Sequence, residues 1–256
     1  SDRFGRGERR LQVNVNSSML VVFDTLNIYY LPHYFPVFQE LKRKGHQARF
    51  VCYGNKNKSD LFQQVFERLG VECSWVAGEK EAADLYVKLK PDWVFFGNRF
   101  HYLDQVHQHS KTVQLGHGIA GKPSYYHKSV TPMTVRFMEG KLGLDKIREL
   151  YPTGNFVQVG CSKLDPLFNH EEPGLDLPGL GLDPGNPTIL YAPTFNPSSM
   201  ERFPDDWPAD FSQYNVLIKP HTFTYTRKRY KKQRAKLEKW AGFPNVHVAG
   251  TQEISL

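Results

Sequence analysis

The sequence predicts an α/β protein built of two Rossmann-like domains facing each other across a cleft, and three observations carry that prediction. Over roughly the first 165 residues, β-type runs alternate with amphipathic stretches of about ten residues, the pattern of βαβ units around a parallel sheet. Residues 171–187, "EEPGLDLPGLGLDPGNP", then hold four prolines and four glycines. That is too many for any regular element, so they read as a linker. Beyond them the alternation starts again.

In chain order, "MLVVFD" (19–24) is the first strand. The aromatic stretch "NIYYLPHYF" (27–35) is a loop that packs at the domain edge, lines a groove or touches lipid. A helix over 36–44 follows, with Pro36 at its start and Gly45 just past its end, the expected asymmetry. The strand 47–54 leads to an amphipathic helix over 59–70, with Ser59 or Asp60 as N-cap and Gly70 as C-cap. Then come a strand at 72–78, a helix at 79–90, a strand at 91–97, a helix at 99–110 and a strand at 111–116. Past the linker, 188–194, 214–221 and 245–250 are strands, with a basic helix over 227–239 between the last two. The domains are therefore expected at 1–167 and 188–256, joined by 168–187. The second shows three strands where a complete doubly wound domain has about five or six, so it is expected to be truncated.

Composition narrows the class. The chain has 256 residues, 40% hydrophobic and 23% charged, an ordinary globular balance. No apolar run approaches the ~18 residues of a membrane span. Cys52, Cys73 and Cys161 show no C-x-x-C spacing and read as buried thiols in a reducing compartment. The net charge is +7, and residues 227–239 hold eight basic residues against one acidic. The excess of seven therefore lies in one helix. Such a helix meets nucleic acid, anionic lipid or a polyanionic substrate, or is only a solvated face.

Ligands of an open parallel sheet bind beyond the carboxyl ends of its strands. Polar residues collect there: Asp24, then Asn98 and Arg99, His117 and Gly118, Thr194, and finally His221. His117 lies between two glycines in "QLGHGIAGK", with Lys122 close by; a ring there is a surface group, a metal ligand or a base. In "IKPH", Lys219 and His221 precede a helix whose N-terminus favours anions. Two histidines, one from each domain, with Gly and Lys neighbours point to a phosphate-handling site. A metal site would need His101, His107 and His109, but only His101 and His109 lie near one helical face, so none is expected.

Four motifs, "LGHGIAGK", "VGCSKLDPLF", "LYAPTF" and "IKPH", follow one another in this order. In them the chain resembles the CDP-glycerol glycerophosphotransferases over roughly residues 90–250. The resemblance implies a GT-B type fold and a metal-independent, cofactor-free transferase. Its donor would be a CDP-activated polyol, its acceptor a hydroxyl of a teichoic-acid-like or capsule polymer or a lipid-linked primer, and its product CMP. It implies His117 as the base that deprotonates the acceptor and His221 at the donor phosphates. With the strand-end reading, Gly118, Lys122, Thr194, Asn196 and Lys219 fall on the donor side. Asp24, Asn98, Arg99 and Asp165 are acceptor-side or secondary candidates, and Lys231, Lys232 and Lys236 a surface for polyanion or membrane. No nucleic-acid partner is expected, and the location implied is cytoplasmic, with peripheral contact at the inner membrane face. The chain departs from the family pattern at Gly116, where Trp is usual, at Ala120, where Pro is usual, and at Asn196, where Arg is common. A nucleotide-sugar glycosyltransferase and a non-catalytic nucleotide or polyanion binder are the rival readings.

Overall fold

The computed structural model describes residues 17–54, 59–118, 121, 123–128 and 132–251. Seven strands make the larger sheet: β1 (Leu20–Thr25), β2 (Gln47–Tyr53), β3 (Cys73–Val76), β4 (Trp93–Phe96), β5 (Lys111–Gln114), β6 (Val135–Met138) and β7 (Phe156–Gln158). Their order is β3-β2-β1-β4-β5-β6-β7, with every neighbouring pair parallel. The order reverses direction between β1 and β4, which opens a crevice at the carboxyl ends of those two strands.

Alternation along the strands builds a core on each face. Val21 and Phe23 of β1 face α1 (Leu31–Arg43) and α2 (Ser59–Leu69), where Phe23 lies against the rings of Tyr34, Phe38, Phe50 and Phe95. Val22 faces the other way, toward Ala82, Ala83 and Tyr86 of α3 (Glu79–Leu89) and Leu103 and Val106 of α4 (Leu103–His107).

The structure corrects three expectations here. The aromatic stretch is no loop: a 3-10 turn, Ile28–Tyr30, runs straight into α1, which begins five residues before Pro36 and continues through it. Tyr30, Tyr34 and Phe38 recur at helical spacing and are buried, and this apolar stripe outweighs the proline inside the helix. The helix expected over 99–110 shrinks to the five residues of α4. Between 117 and 165, where no element was assigned, lie β6, α5 (Lys141–Leu150) and β7. The short α6 (Asp165–Phe168) follows.

The second sheet holds β8 (Thr188–Tyr191), β9 (Asn215–Ile218) and β10 (Val246–Val248), parallel and in the order β10-β9-β8. Met200, Trp207, Val216, Ile218, Leu237, Trp240 and Val246 form its core. The Pro/Gly-rich segment contains no helix or strand, but its end is anchored. Buried Asn215 donates to the carbonyls of Asp183 and Asn186 and accepts from the Asp183 N–H. The basic stretch is not one helix either. After α7 (Thr222–Thr226), it comprises a 3-10 turn Lys228–Tyr230 and α8 (Lys231–Trp240). No helix among the described residues is long and apolar enough to cross a membrane.

Candidate active site

The carboxyl ends of β4 and β5 and the start of α7 meet at a cavity of about 490 Å³, lined by both α/β units. His117 and His221 both line it. The side chain between them is Tyr29, whose ring centroid lies 5.2 Å from that of His117 and 5.7 Å from that of His221. The two histidines singled out by their strand-end positions thus share one aromatic wedge. The aromatic stretch does line the groove, through Tyr29, while Tyr30 and Tyr34 serve the core.

Hydrogen bonds set the tautomer of each ring. His117 Nδ1 lies 3.0 Å from the Gly97 carbonyl, which can only accept, so Nδ1 carries the proton and the neutral ring is basic at Nε2. His221 Nδ1 accepts from the Phe223 N–H at 3.1 Å, so the neutral His221 presents Nε2–H as a donor. His221 is itself the N-cap of α7, a helix of only five residues. The anion-favouring helix start expected after "IKPH" is therefore short, and one of its N–H groups is already bonded.

Gly97 and Gly118 admit protein rather than ligand. A Cβ on Gly118 would lie 2.7 Å from the Tyr125 hydroxyl, and one on Gly97 would lie 2.5 Å from Cε2 of Tyr30. Gly116 would meet only an ordinary 3.7 Å contact. Tyr30 in turn stacks on His117, with centroids 5.1 Å apart and planes at 30°, and its hydroxyl accepts from Asn98 Nδ2 at 2.5 Å. Gly97→Ala is accordingly expected to destabilise the fold by about 1–3 kcal/mol, the usual cost of overpacking, with a lowered Tm in thermal denaturation. Gly116→Ala should leave Tm close to that of the wild type.

Several residues that line the cavity were not among those expected there. His33, on α1 and only 6% exposed, lines it, and its ring is hydrogen-bonded to the His117 backbone. Burial, with Lys163 and His117 close by, lowers its pKa to about 4, so His33 is neutral at pH 7. Gln114, Arg136 and Lys163 also line the cavity.

Other expected residues sit elsewhere. Asp24 is 4% exposed and absent from the cavity wall. Its Oδ2 accepts from the hydroxyls of Tyr53 at 2.6 Å and Tyr86 at 2.7 Å. Burial raises its pKa to about 7 against the opposing pull of those two bonds. It points toward α3 because it shares the parity of Val22 along β1. Asn98 lines the cavity, but Arg99 is exposed outside it, as are Thr194, Asn196 and Asp165. Phe195, between Thr194 and Asn196, lines the cavity instead, against His221 at 4.6 Å. Lys219 is half-buried at the end of β9, outside the lining. Lys122 lies outside the described residues.

The basic stretch is largely engaged with the protein itself. Arg227 stacks on Phe223, Arg234 donates to the carbonyls of Thr224 and Arg227, and Lys239 pairs with Asp205 at 2.5 Å. Half-buried Lys236 donates to the Phe203 carbonyl and lies over the Trp240 ring, which removes it from the expected polyanion surface. Lys231 and Lys232 remain exposed. His101 bonds Glu79 and His107 bonds Thr112, and no metal-binding cluster occurs among the described residues.

Two parallel α/β units whose strand ends meet at one cavity define a GT-B type fold. Among solved structures, the chain matches the UDP-N-acetylglucosamine 2-epimerase from Rickettsia bellii with a TM-score of 0.63 at 13% identity, covering 93% of this chain and 70% of that one. A Listeria monocytogenes protein assigned the same activity matches with 0.62 at 10% identity, over 91% and 69% of the two chains. The Neisseria meningitidis enzyme of that name, bound to UDP-GlcNAc, matches with 0.54 at 12% identity, over 93% and 73%. At such identities the likeness establishes the fold alone. No protein-family model matches the chain, and no curated protein matches it. The resemblance to the CDP-glycerol glycerophosphotransferases therefore rests on the four motifs.

Proposed function

We propose that this chain is a transferase that moves a group from a nucleotide-activated donor onto a hydroxyl, with His117 as the general base. One observation carries the reading: His33, His117, His221, Arg136 and Lys163 line a single cavity, and no aspartate or glutamate lines it among the described residues. A lining of that kind favours a substrate rich in phosphate and disfavours a cationic one. The acceptor hydroxyl loses its proton to Nε2 of His117, while the Nδ1–H bond to Gly97 steadies the imidazolium that forms. The His221 Nε2–H donates to a phosphoryl oxygen as charge builds there.

The motifs favour a CDP-activated polyol as donor. The acceptor oxygen then bonds to the β-phosphorus, the bond from that phosphorus to the bridging oxygen breaks, and CMP departs with the electron pair. The acceptor in this reading is a teichoic-acid-like or capsule polymer or a lipid-linked primer, met at the cytoplasmic membrane face. The fold supports a second reading, since one structural relative is bound to UDP-GlcNAc. Attack would then fall on a sugar carbon and UDP would leave, with His117 in the same role.

The test incubates the protein separately with CDP-glycerol, CDP-ribitol and UDP-GlcNAc in the presence of hydroxyl acceptors, and separates the nucleotides chromatographically. Acceptor-dependent CMP release is the expected result, and UDP release would select the second reading. Recovery of a UDP-sugar inverted at one carbon, or no release from any donor, would overturn both.

A further inference from the structure

Gln114 and Arg136 are register partners on the parallel strands β5 and β6, so their side chains leave the same face of the sheet. Both line the cavity, although Gln114 is only 3% exposed and Arg136 5%. Such residues are out of place in the middle of a parallel sheet, whose strands are normally apolar on both faces. Neither is fully satisfied by the described residues. Among the described residues, Gln114 Oε1 and Arg136 Nη1 are buried without a hydrogen-bond partner. The Arg136 Nε–H goes to the Met138 sulfur at 3.3 Å, a weak acceptor. No carboxylate forms an ion pair with Arg136 among the described residues; Glu139 acts on it only from farther away.

A buried guanidinium without a counter-ion is costly in an unliganded fold, and its planar fork matches carboxylate and phosphate oxygens. The Gln114 amide, turned by half a revolution about its last bond, offers Nε2–H in place of Oε1. The pair then supplies converging donors to one oxyanion. The Tyr125 ring, 5.9 Å from that of His117, lines the same cavity.

We propose that Gln114 and Arg136 form an oxyanion subsite on the floor of the first α/β unit, holding a phosphate or carboxylate group of the acceptor so that its hydroxyl reaches His117. The binding of an oxyanion stands on the geometry alone, whereas its assignment to the acceptor rests on the transferase reading above. The acceptor is thus itself an anion, and Arg136 and Gln114 position it without touching the reacting phosphorus.

Calorimetric titration of the whole chain at low salt with glycerol 3-phosphate, inorganic phosphate and acetate tests this. Saturable binding of at least one is expected, and the preferred probe separates phosphate from carboxylate. Arg136→Met should weaken that binding roughly 10- to 100-fold, the worth of a lost charge-assisted bond, and Arg136→Lys should weaken it less. Gln114→Glu places a carboxylate beside the guanidinium, and should both abolish anion binding and raise Tm. This variant decides the matter if Arg136→Met does not fold. No binding to the wild type, equal affinity in Arg136→Met, or undiminished binding in Gln114→Glu would overturn the subsite. His117→Gln should still bind the anion, so a failed transferase reading would leave this result standing.

Discussion

His117→Gln is expected to slow transfer by about 10²- to 10⁴-fold, the usual contribution of a general base, or roughly 3–5 kcal/mol of barrier. Glutamine is the informative replacement because its amide N–H can still donate to the Gly97 carbonyl that holds Nδ1 of the ring. It cannot accept a proton at neutral pH. Neither replacement keeps the ring contacts with Tyr30, Tyr29 and Tyr125, but alanine would also empty the space that a glutamine side chain still fills. A slow alanine variant would therefore mix lost chemistry with a loosened site. Donor affinity should change little in His117→Gln, because the base acts in the transition state. The rising acid limb of the wild-type pH–rate profile should disappear. A folded His117→Gln protein retaining more than a tenth of the wild-type rate would remove His117 from the chemistry.

The second large effect concerns Asp24 and the pH dependence of stability. Burial pushes its carboxyl up from the ordinary 3.8 to about 7 in the folded chain, so between those values the folded state binds more protons. By linkage, this contribution is fully present below about pH 4 and is lost as pH rises through 7. The ceiling is roughly 4 kcal/mol, at ~1.4 kcal/mol per pH unit. His33 works in the opposite sense. Its folded pKa of about 4 lies below the ordinary 6.5, so its contribution is present above 6.5 and is lost as pH falls toward 4. The two slopes offset each other over most of that window. Asp24→Asn removes the falling one, and its denaturant-derived stability should rise between pH 4.5 and 6.5. His33→Gln should show the reverse slope. Parallel pH curves for Asp24→Asn and wild type would show that the carboxyl does not titrate in this window. Asp24→Asn should also retain transfer where the protein is folded, since the carboxyl does not line the cavity. Asp24→Leu, leaving the Tyr53 and Tyr86 hydroxyls without an acceptor, should cost about 1–3 kcal/mol for each.

What the sequence disclosed follows from where its signals lie. Regular strand–helix alternation with Gly and Pro punctuation made the first five strands and the restart after the linker legible. The segment between His117 and Asp165 was not, because β6 carries Arg136 among its apolar residues and β7 has three residues of which only Phe156 is buried. His117 and His221 stood out because each follows an apolar run at a strand end. His33 was hidden inside α1, where a proline-flanked aromatic run looked like a loop. Gln114 and Arg136 carried a usable signal that went unread, a polar residue amid "TVQL" and "TVRFM", since an inward polar side chain in a short parallel strand asks for a partner. Asp24 misled because a strand-end position does not say which face of the sheet a side chain leaves.

Tyr29 turns the spacing between the two units into something that can be followed by spectroscopy. Its ring is carried by the first unit and touches one histidine from each, with Phe223 of the second unit edge-on to it at 6.0 Å. Movement of the second unit away from the first must therefore uncover one side of this ring while the other keeps its contact with His117. The ring current of Tyr29 falls on the carbon-bound protons of His221 only while the units are close. Those proton shifts are a ruler for the opening of the cleft, with the His117 protons as the internal reference.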